Sequence, residues 1–561
     1  MQCYIPWTGS GGPVNKPFTF ALPPTTMGCY EQHMTDRGFV LALLAVLMVV
    51  MAGSVLDVME VDAAQYAGMS RDMLVHGDLL KLYFRGEDYL DKPPLLFWLS
   101  ALSFKVFGVH DWSYRLPSIL FAFLGLFSTY RFTILYHGRE VARTATLFLG
   151  SSAAFWLMTN DVRCDTILMG SVITAIWSGC AWLEQGRTWQ LAVSALAIAT
   201  GLLVKGPIGA LAPLIAVGGQ LLFTKNWKRL LDMRLLAVPV VIGLLLLPMC
   251  IGLYQQHGPH GLRFYFWEQS FGRITGENRW KDDSSVLFFT HEVLWQLLPW
   301  TVFVLIGLGK CLRYFLQRRT LPEVTSSIGA VLVFIALSLS HFKLPHYLYV
   351  IVPLFAIQGA VGFHTNGIRS VQWVHVVVMV LLWFTALFLT WIVFPEGRWP
   401  FIALLLTMML VAVLFISRTG IATGLLKASL CVMIGVGISL NGHFYPNLLR
   451  YQANAAAGRW AAEQELGPGR LFGMQISGSA LDYYAGYPVP WISNVVEARA
   501  VIVPGVVIYT DAERRMELLA AGLVPVSELQ FPNYPIQRLG FKFLSPGTRD
   551  EQLAPRYLLL Y

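Results

Sequence analysis

The chain has 561 residues, of which 55% are hydrophobic and only 13% are charged, and its formal net charge is +8. A soluble protein of this length needs a much larger share of charged surface, so the composition excludes a soluble globular protein. Repeated uncharged stretches of about 18–22 residues match the hydrocarbon core of a bilayer. The modest positive excess is typical of cytoplasmic loops and does not indicate nucleic-acid binding. The composition therefore predicts a polytopic membrane protein.

The N-terminal segment, residues 1–36, is polar and rich in Pro, Gly and Thr. It lacks the basic region followed by a short apolar core that marks an ordinary signal peptide. We expect this segment to be disordered or foreign to the natural protein. The sequence leaves Met1, Met27 and Met34 open as the natural start.

Residues 37–440 predict an all-α membrane domain with about thirteen transmembrane helices. The predicted spans are 38–56, 116–136, 143–160, 165–183, 189–204, 206–223, 235–254, 287–309, 327–341, 345–363, 373–394, 399–416 and 421–440. The apolar segment 93–108 is left out because it begins with two prolines, has sixteen residues and contains Lys105. It predicts an interfacial helix that lies on the membrane.

Basic residues concentrate in alternate loops of this scheme. They are Arg139, Arg143, Arg187, Lys225, Lys228, Arg229, Arg234, Lys310, Arg313, Arg318, Arg319, Arg369 and Arg418. Cytoplasmic loops of membrane proteins carry this excess of Lys and Arg. The pattern predicts a multi-pass inner-membrane protein with a cytoplasmic N-terminus. It places the first loop (57–115), the loop 255–286 and the C-terminal tail on the periplasmic side.

The C-terminal tail, residues 441–561, changes character. Residues 506–511 predict a strand, 512–522 a helix stopped by Gly522, and 555–561 a strand. The tail is long enough for a small extracytoplasmic α/β domain, and the sequence contains no nucleotide-binding glycine loop.

The sequence indicates neither a metal site nor a disulfide framework. The seven cysteines are scattered and form no CxxC pair or His/Cys cluster. We therefore expect no obligatory metal or cofactor, and a divalent cation held by the outer carboxylates is the alternative.

The first loop carries a dense group of charged residues beside a membrane span, and it is far longer than a connection requires. Such loops are often functional. The residues of interest are Asp57, Glu60, Asp62, Tyr89, Asp91, Lys92 and Arg115. The simpler alternative is that the acids are solvated helix ends and that Lys92 and Arg115 extend to lipid head groups.

Three further charged groups lie on the same predicted side. They are Asp161, Arg163 and Asp165; Glu268 and Arg273 among aromatic residues; and Lys343 with His341, His346, Tyr347 and Tyr349. A solvated turn, an aromatic belt and hydrogen-bonded helix ends are the respective alternatives. Together these residues would suit a substrate linked to a lipid phosphate. Cations would stabilise the phosphate, a carboxylate would accept a proton, and the spans would hold a polyprenyl tail.

Several stretches resemble a known family over residues 38–445. They are DAAQYAGMSRDMLVHGD (62–78), YLDKPPLLFW (89–98), RLPS (115–118), RCDTIL (163–168), FGRITGEN (271–278), LLPWT (297–301) and SHFKLPHYLYVIVP (340–353). The sequence is similar to the GT-C integral-membrane glycosyltransferases of the lipid A 4-amino-4-deoxy-L-arabinose transferase and protein O-mannosyltransferase type. The tail corresponds in position to their periplasmic domain.

The resemblance implies inverting transfer of a sugar from an undecaprenyl-phosphate donor to a lipid A, glycan or protein acceptor. Asp62 and Asp165 match the family's catalytic carboxylates. The positions that match its substrate-facing residues are Tyr89, Asp91, Lys92, Lys343 and Tyr347, and we add the outer cations Arg115 and Arg273. Ala63 follows Asp62 where the family often has Glu, and Gln65 and Asp91 also depart from the aminoarabinose enzymes, so the sugar and the acceptor stay open.

Two other classes of function are compatible with a polytopic chain. A transporter or flippase for a lipid-linked sugar would usually show related halves and charges near the bilayer midplane. A scaffold that displays the tail domain would leave the long outer loops unexplained. The one-sided charges and the lack of a clear repeat favour the enzyme.

Overall fold

The computed structural model of the chain describes residues 34–269, 272, 284–365, 369–476 and 478–561. Residues 1–33 of the segment expected to be disordered lie outside the described residues. So do Arg273 and most of the FGRITGEN stretch. The end of the segment 1–36 enters a helix instead, since Thr35 caps the helix Asp36–Ser54 and Asp36 begins it.

The first described part is a helical bundle. Its helices are α1 Asp36–Ser54, α2 Asp62–His76, α3 Leu95–Phe107, α4 Asp111–His137, α5 Arg139–Gly150, α6 Ala153–Asn160, α7 Cys164–Gln185, α8 Thr188–Lys205, α9 Ile208–Thr224, α10 Ala237–Arg263, α11 Phe288–Gln296, α12 Thr301–Leu316, α13 Thr325–Ser338, α14 Val352–His364, α15 Arg369–Phe388, α16 Trp399–Thr419 and α17 Ile421–Ser439. A hairpin of β1 Tyr83–Phe84 and β2 Glu87–Asp88 lies in the first loop.

Among the described residues, nine helices are long and apolar enough to cross a membrane, and a tenth crossing results if one bent pair counts as a span. The nine include α1, α4, α7, α8 and α16, together with the longer segments built on α10, α14, α15 and α17. Each falls on a predicted span. The bent pair is α11 and α12, which meet at 118° with Pro299 in the break. The prediction of a polytopic membrane protein is confirmed.

The other predicted spans are shorter helices. The predicted spans 206–223 and 327–341 correspond to α9 and α13, and 143–160 is divided into α5 and α6. The division occurs at Ser151 and Ser152, where Ser152 is the N-cap of α6. The Ser151 hydroxyl donates to the Leu147 carbonyl at 2.5 Å, and Ser152 accepts from the Phe155 N–H at 3.3 Å.

The short helix α3 occupies the segment predicted to lie at the interface. Its 13 residues span about 20 Å, which is less than the roughly 30 Å of a hydrocarbon core. One side is buried at Leu96, Phe97 and Phe104, whereas Leu102 and Val106 remain exposed.

Polar contacts separate the bundle into two ends. At one end the His137 ring lies 3.2 Å from Glu323, and Arg234 donates to the Gly186 carbonyl at 2.9 Å. At the other end, Arg115 in the first turn of α4 donates to the Asn160 carbonyl at 2.9 Å. The 27 residues of α4 separate these ends by about 40 Å. The predicted basic loops and the first loop therefore lie at opposite ends.

The C-terminal part forms a small mixed α/β unit, as predicted. Its elements are α18 Tyr445–Leu449, α19 Ala453–Glu463, β3 Leu471–Met474, α20 Ser479–Ala485, β4 Trp491–Ile492, α21 Val495–Val501, β5 Val507–Asp511, α22 Ala512–Ala520, β6 Ser527–Phe531, α23 Phe541–Leu544 and β7 Arg556–Leu560. The strand order is β4-β3-β5-β7-β6, with β3 parallel to β4 and β5 and with β7 antiparallel to β5 and β6.

The predicted strand, helix and strand correspond to β5, α22 and β7. Gly522 has φ +78°, a value that favours glycine and ends the helix. The preceding apolar helical segment continues to Leu449, past the predicted end at 440. A π-helical turn at Leu440–Phe444 keeps the backbone hydrogen-bonded, so the helical path does not stop there.

Candidate active site

Asp62 is the first residue of α2, where a carboxylate is favoured by the positive end of the helix dipole. Its Oδ2 accepts a charged hydrogen bond from Nη1 of Arg163 at 2.5 Å. Arg163 also donates from Nε to Oδ2 of Asp161 at 2.7 Å. Although burial disfavours its charge, the carboxylates of Asp161 and Asp62 raise the pKa of Arg163 above its ordinary value. The Asp62 side chain remains 38% exposed, so an arriving substrate can reach it.

Asp165 lies two residues beyond Arg163, in the first turn of α7, and it is buried. Its Oδ1 forms an ion pair with Lys205 at the end of α8. Its Oδ2 lies 3.8 Å from Nε2 of His346. The Lys205 ammonium lies 4.1 Å from the ring centroid of Tyr347, which is within range of a cation–π interaction. The turn after α13 therefore contacts the start of α7, through Asp165, and the end of α8, through Lys205.

The residues before the two prolines of the first loop form a second charged pair. Nζ of Lys92 lies 2.6 Å from Oδ2 of Asp91. Burial disfavours the Lys92 charge, but Asp91 outweighs it, with a smaller contribution from Tyr347, and raises the pKa of Lys92 above its ordinary value. Gln269 donates a hydrogen bond to the Asp91 carbonyl and so joins this loop to the end of α10.

Two tyrosines connect these pairs. Tyr66 and Tyr89 both contact the edge or face of Phe97, with ring centroids 5.7 and 6.2 Å from it. Burial raises the pKa of Tyr89 well above its ordinary value, and Asp91 and Asp62 add to this effect. Both carboxylates thus act on the same phenol. The predicted residues Asp62, Tyr89, Asp91, Lys92, Asp165 and Tyr347 lie at one end of the bundle, linked by these contacts.

Lys343 lies just before the 3-10 turn Pro345–Ile351 that carries His346 and Tyr347. Its side chain is buried, and Nζ donates to the Ser284 carbonyl at 3.2 Å. It therefore ties the turn to the outer segment that precedes α11.

Arg115, a predicted substrate-binding cation, has a different position. It is 1% exposed. Its guanidinium donates to the carbonyls of Leu56 at 2.6 Å, Asp57 at 2.9 Å and Asn160 at 2.9 Å. These bonds fasten the end of α1 and the end of α6 to the start of α4. Arg115 therefore fixes the base of the loop that carries Asp62, and its contact with substrate stays a prediction.

Sequence reasoning missed Lys205 and gave Arg163 no role. Lys205 ends an apolar run directly before Gly206 and Pro207. A lysine at membrane depth needs a partner, and this position is at the same end as the first loop, so that signal was available. Arg163 was visible as part of an acidic turn, but its pairing with Asp62, 101 residues away in sequence, was not.

The described residues contain no group of three or more His, Cys, Asp or Glu side chains placed to hold a metal ion. The expectation that no metal is obligatory stays a prediction. Arg273, the other predicted substrate-binding arginine, lies outside the described residues.

Solved structures share this architecture. The crystal structure of ArnT from Cupriavidus metallidurans bound to undecaprenyl phosphate matches with a TM-score of 0.70 and 20% identity, over 89% of this chain and 96% of that chain. The apo oligosaccharyltransferase of Archaeoglobus fulgidus matches with a TM-score of 0.50 and 14% identity, over 84% of this chain and 70% of that chain. These matches establish the fold.

Sequence comparisons also find similarity to proteins named as glycosyltransferases. A family model described as dolichyl-phosphate-mannose-protein mannosyltransferase matches residues 91–251. An undecaprenyl phosphate-alpha-4-amino-4-deoxy-L-arabinose arabinosyl transferase of Pseudomonas aeruginosa is 25% identical over 304 residues, 53% of this chain and 54% of the relative. The Edwardsiella ictaluri protein of that name is 28% identical over 328 residues, 57% of each chain.

The chain thus spans about half the length of the curated relatives it matches, 54% in the first case. It has the fold of ArnT and is a multi-pass membrane protein. The resemblance to the GT-C glycosyltransferases predicted from the sequence is confirmed.

Proposed function

We propose that the chain transfers a sugar from an undecaprenyl-phosphate donor to an acceptor on lipid A, another glycan or a protein, with inversion at the anomeric carbon. One observation supports this most directly. The carboxylates of Asp62 and Asp165 lie at one end of an apolar bundle, each paired with a cation from a distant segment. The sequence relatives are named as transferases, which favours an enzyme over a transporter or flippase.

In the proposed reaction, an acceptor oxygen attacks the anomeric carbon as the bond from that carbon to the phosphate oxygen breaks. The bonding electrons leave with undecaprenyl phosphate. When the acceptor is a hydroxyl, its proton passes to the carboxylate of Asp62, which acts as the general base. Arg163 binds Oδ2 of Asp62 and so fixes the orientation of the carboxylate.

The cations have a separate role in this proposal. Lys92, Lys205 and Lys343 supply positive charge where the leaving phosphate gains negative charge, and such preorganised charge stabilises the transition state. Asp165 forms an ion pair with Lys205 and so fixes its position. Tyr89 of the first loop and Tyr347 of the turn after α13 line the proposed site. The apolar helices would hold the undecaprenyl chain.

We also propose that the chain lies in the bacterial inner membrane, with its N-terminus in the cytoplasm and its C-terminal unit in the periplasm. The concentration of basic residues at the end of the bundle opposite Asp62 supports this orientation. A reporter fused after Tyr561 that is active only in the periplasm tests it. Activity only with a cytoplasmic reporter would reverse the orientation.

The function is tested with purified chain, radiolabelled undecaprenyl-phosphate-linked 4-amino-4-deoxy-L-arabinose and lipid A, extended to other sugars and acceptors. We expect transfer by the wild type and a loss of about 10²–10⁴-fold in Asp62→Asn, the usual contribution of a general base. Asp78→Asn is the matched control. Asp78 lies in the same loop and accepts from the Leu80 N–H at 2.9 Å, a bond that Asn retains, so its activity should be normal.

Two outcomes would contradict the proposal. Equal transfer by the wild type and Asp62→Asn would remove Asp62 as the base. Absence of transfer by the wild type from every undecaprenyl-phosphate sugar would reject the activity itself.

A further inference from the structure

The segment between α1 and α2 is short and irregular, and the C-terminal unit holds much of its backbone. The Val58 N–H donates to the hydroxyl of Tyr484 at 2.7 Å. The Glu60 N–H donates to Oε1 of Gln452 at 2.8 Å. Arg459 forms an ion pair with Asp57. The backbone leading into Asp62 is therefore held by the C-terminal unit as well as by Arg115 of α4.

Glu60 is the centre of these contacts. Its Oε2 accepts from Nδ2 of Asn454 at 2.9 Å, and its Oε1 accepts from the Ala480 N–H at 3.2 Å. Its carbonyl accepts a hydrogen bond from Gln537. Glu60 stands two positions before Asp62, so its contacts restrain the backbone that leads into the first residue of α2.

The partner of Glu60 is itself fixed by the sheet. Oδ1 of Asn454 accepts from the hydroxyl of Tyr509 at 2.8 Å, which leaves the amide nitrogen aimed at Glu60. Tyr509 is fully buried in β5, next to β3 and β7. The space beside Asn454 is filled as well, since a Cβ added at Gly478 would lie 1.9 Å from Nδ2 of Asn454.

The same unit also holds α2. Nη1 of Arg71 donates to the carbonyls of Asp482 at 2.8 Å and Tyr483 at 3.0 Å. Arg71 is buried, so these bonds are shielded from water. The C-terminal unit thus holds both the segment before Asp62 and the helix after it.

We propose that the C-terminal unit is a positioning element for the transfer reaction, and that Glu60 and Asn454 are positioning residues that hold Asp62 in its reacting orientation. This inference rests on the proposed function, in which Asp62 accepts the proton. A displacement of about 1 Å in a reacting group can reduce a rate by about 10²-fold, so the link affects the chemical step. It does not affect donor binding, because neither residue belongs to the set that faces the donor.

The test compares Glu60→Ala, Asn454→Ala and the double variant with the wild type. We expect kcat to fall about 10- to 100-fold in each single variant, with KM for the undecaprenyl-phosphate sugar within about 2-fold of normal. The double variant should be no slower than the worse single variant, since both remove one link. Tyr509→Phe should lower kcat by a smaller factor, because it frees the Asn454 amide without removing it.

Glu528→Ala is the control. Glu528 belongs to the same sheet but forms an exposed ion pair with Arg515, so kcat should be unchanged. A purely structural role for the Glu60 contacts would lower the folded fraction and leave kcat per folded molecule unchanged. If Glu60→Ala fails to fold, Glu60→Gln replaces it, since the Gln carbonyl can still accept from Ala480.

Hydrogen exchange of the amides in residues 56–62 gives a readout that needs no turnover. We expect exchange to accelerate at least about tenfold in Glu60→Ala and Asn454→Ala, while α7 keeps its wild-type rate. Unchanged exchange, or unchanged kcat in an active enzyme, would overturn the inference. If the wild type transfers no sugar, the proposed function fails, and the exchange rates alone decide whether the C-terminal unit holds the segment.

Discussion

The two carboxylate–cation pairs of the site have similar chemistry and different burial. Asp62 and Arg163 are 38% and 19% exposed, whereas Asp165 and Lys205 are 3% and 15% exposed. A partly exposed pair can open to exchange a proton with an arriving hydroxyl. A buried pair is costly to separate, because either charge left alone in a low dielectric lacks solvation.

This difference indicates a division of labour. The solvent-accessible pair suits a reacting group, and the buried pair suits a fixed field that orients the leaving phosphate. Two further pairs extend the comparison: Asp482 of the C-terminal unit with Arg85 of the first loop, and the exposed Arg515 with Glu528 within the C-terminal unit. The effect of these pairs on stability should decrease with exposure, from Asp165–Lys205 through Asp482–Arg85 to Arg515–Glu528.

The largest loss of stability should come from Lys205→Met, which leaves Asp165 buried without its cation. Removal of one partner of a buried pair costs about 3–5 kcal/mol, so both thermal stability in detergent and sugar transfer should fall. The double variant Lys205→Met with Asp165→Asn should recover stability but not transfer. A wild-type melting temperature in Lys205→Met would contradict the comparison.

A smaller effect should appear as a pH dependence at Asp482. Burial raises the pKa of Asp482 to about 6, although the Val489 N–H and Arg85 act in the other direction. The ordinary pKa of an aspartate is about 3.9, so the folded state binds more protons between these values. The free energy of unfolding should therefore decrease by about 3 kcal/mol as pH rises from about 4 to about 6, and then level off.

The measurement is thermal unfolding of the wild type and of Asp482→Asn across this pH range. Asn retains the acceptor for the Val489 N–H, which is 2.9 Å from Oδ1. The difference between the two curves should depend on pH in the stated direction. Parallel curves would show that Asp482 does not titrate differently in the folded state.

The smallest effect should follow from Arg515→Ala. Nη2 of Arg515 donates to Oε1 of Glu528 at 2.8 Å. The two side chains are 27% and 32% exposed. Exposed ion pairs contribute less than about 1 kcal/mol because water and salt screen them. The melting temperature and the transfer rate should both match the wild type, and a loss as large as that of Lys205→Met would refute burial as the deciding variable.

Much of the fold followed from local patterns. Apolar runs such as 38–56 predicted α1, because a bilayer requires hydrogen-bonded apolar helices. Short strand-like runs and the stop signal at Gly522 predicted β5, α22 and β7. Spans interrupted by polar residues were harder to predict, since an apolar run does not reveal that Ser152 caps the start of a new helix, α6.

The site was predicted less completely. Asp62, Tyr89, Asp91, Lys92, Asp165 and Tyr347 were chosen from charge at the membrane edge and from family resemblance, and the fold brings them to one end. Arg115 shows the limit of this reasoning. Composition did not reveal that its donors bind the carbonyls of Leu56 and Asp57.

The sequence by itself determined that the chain crosses a membrane, that the candidate site residues lie on one side of the spans and that a mixed α/β unit follows the spans. These properties depend on the apolar character and periodicity of contiguous residues. Only the tertiary structure decided that Arg163 pairs with Asp62, that Lys205 pairs with Asp165 and that Asn454 holds Glu60. Such pairs join residues far apart in the chain, and which donor meets which acceptor depends on how the helices and the sheet pack.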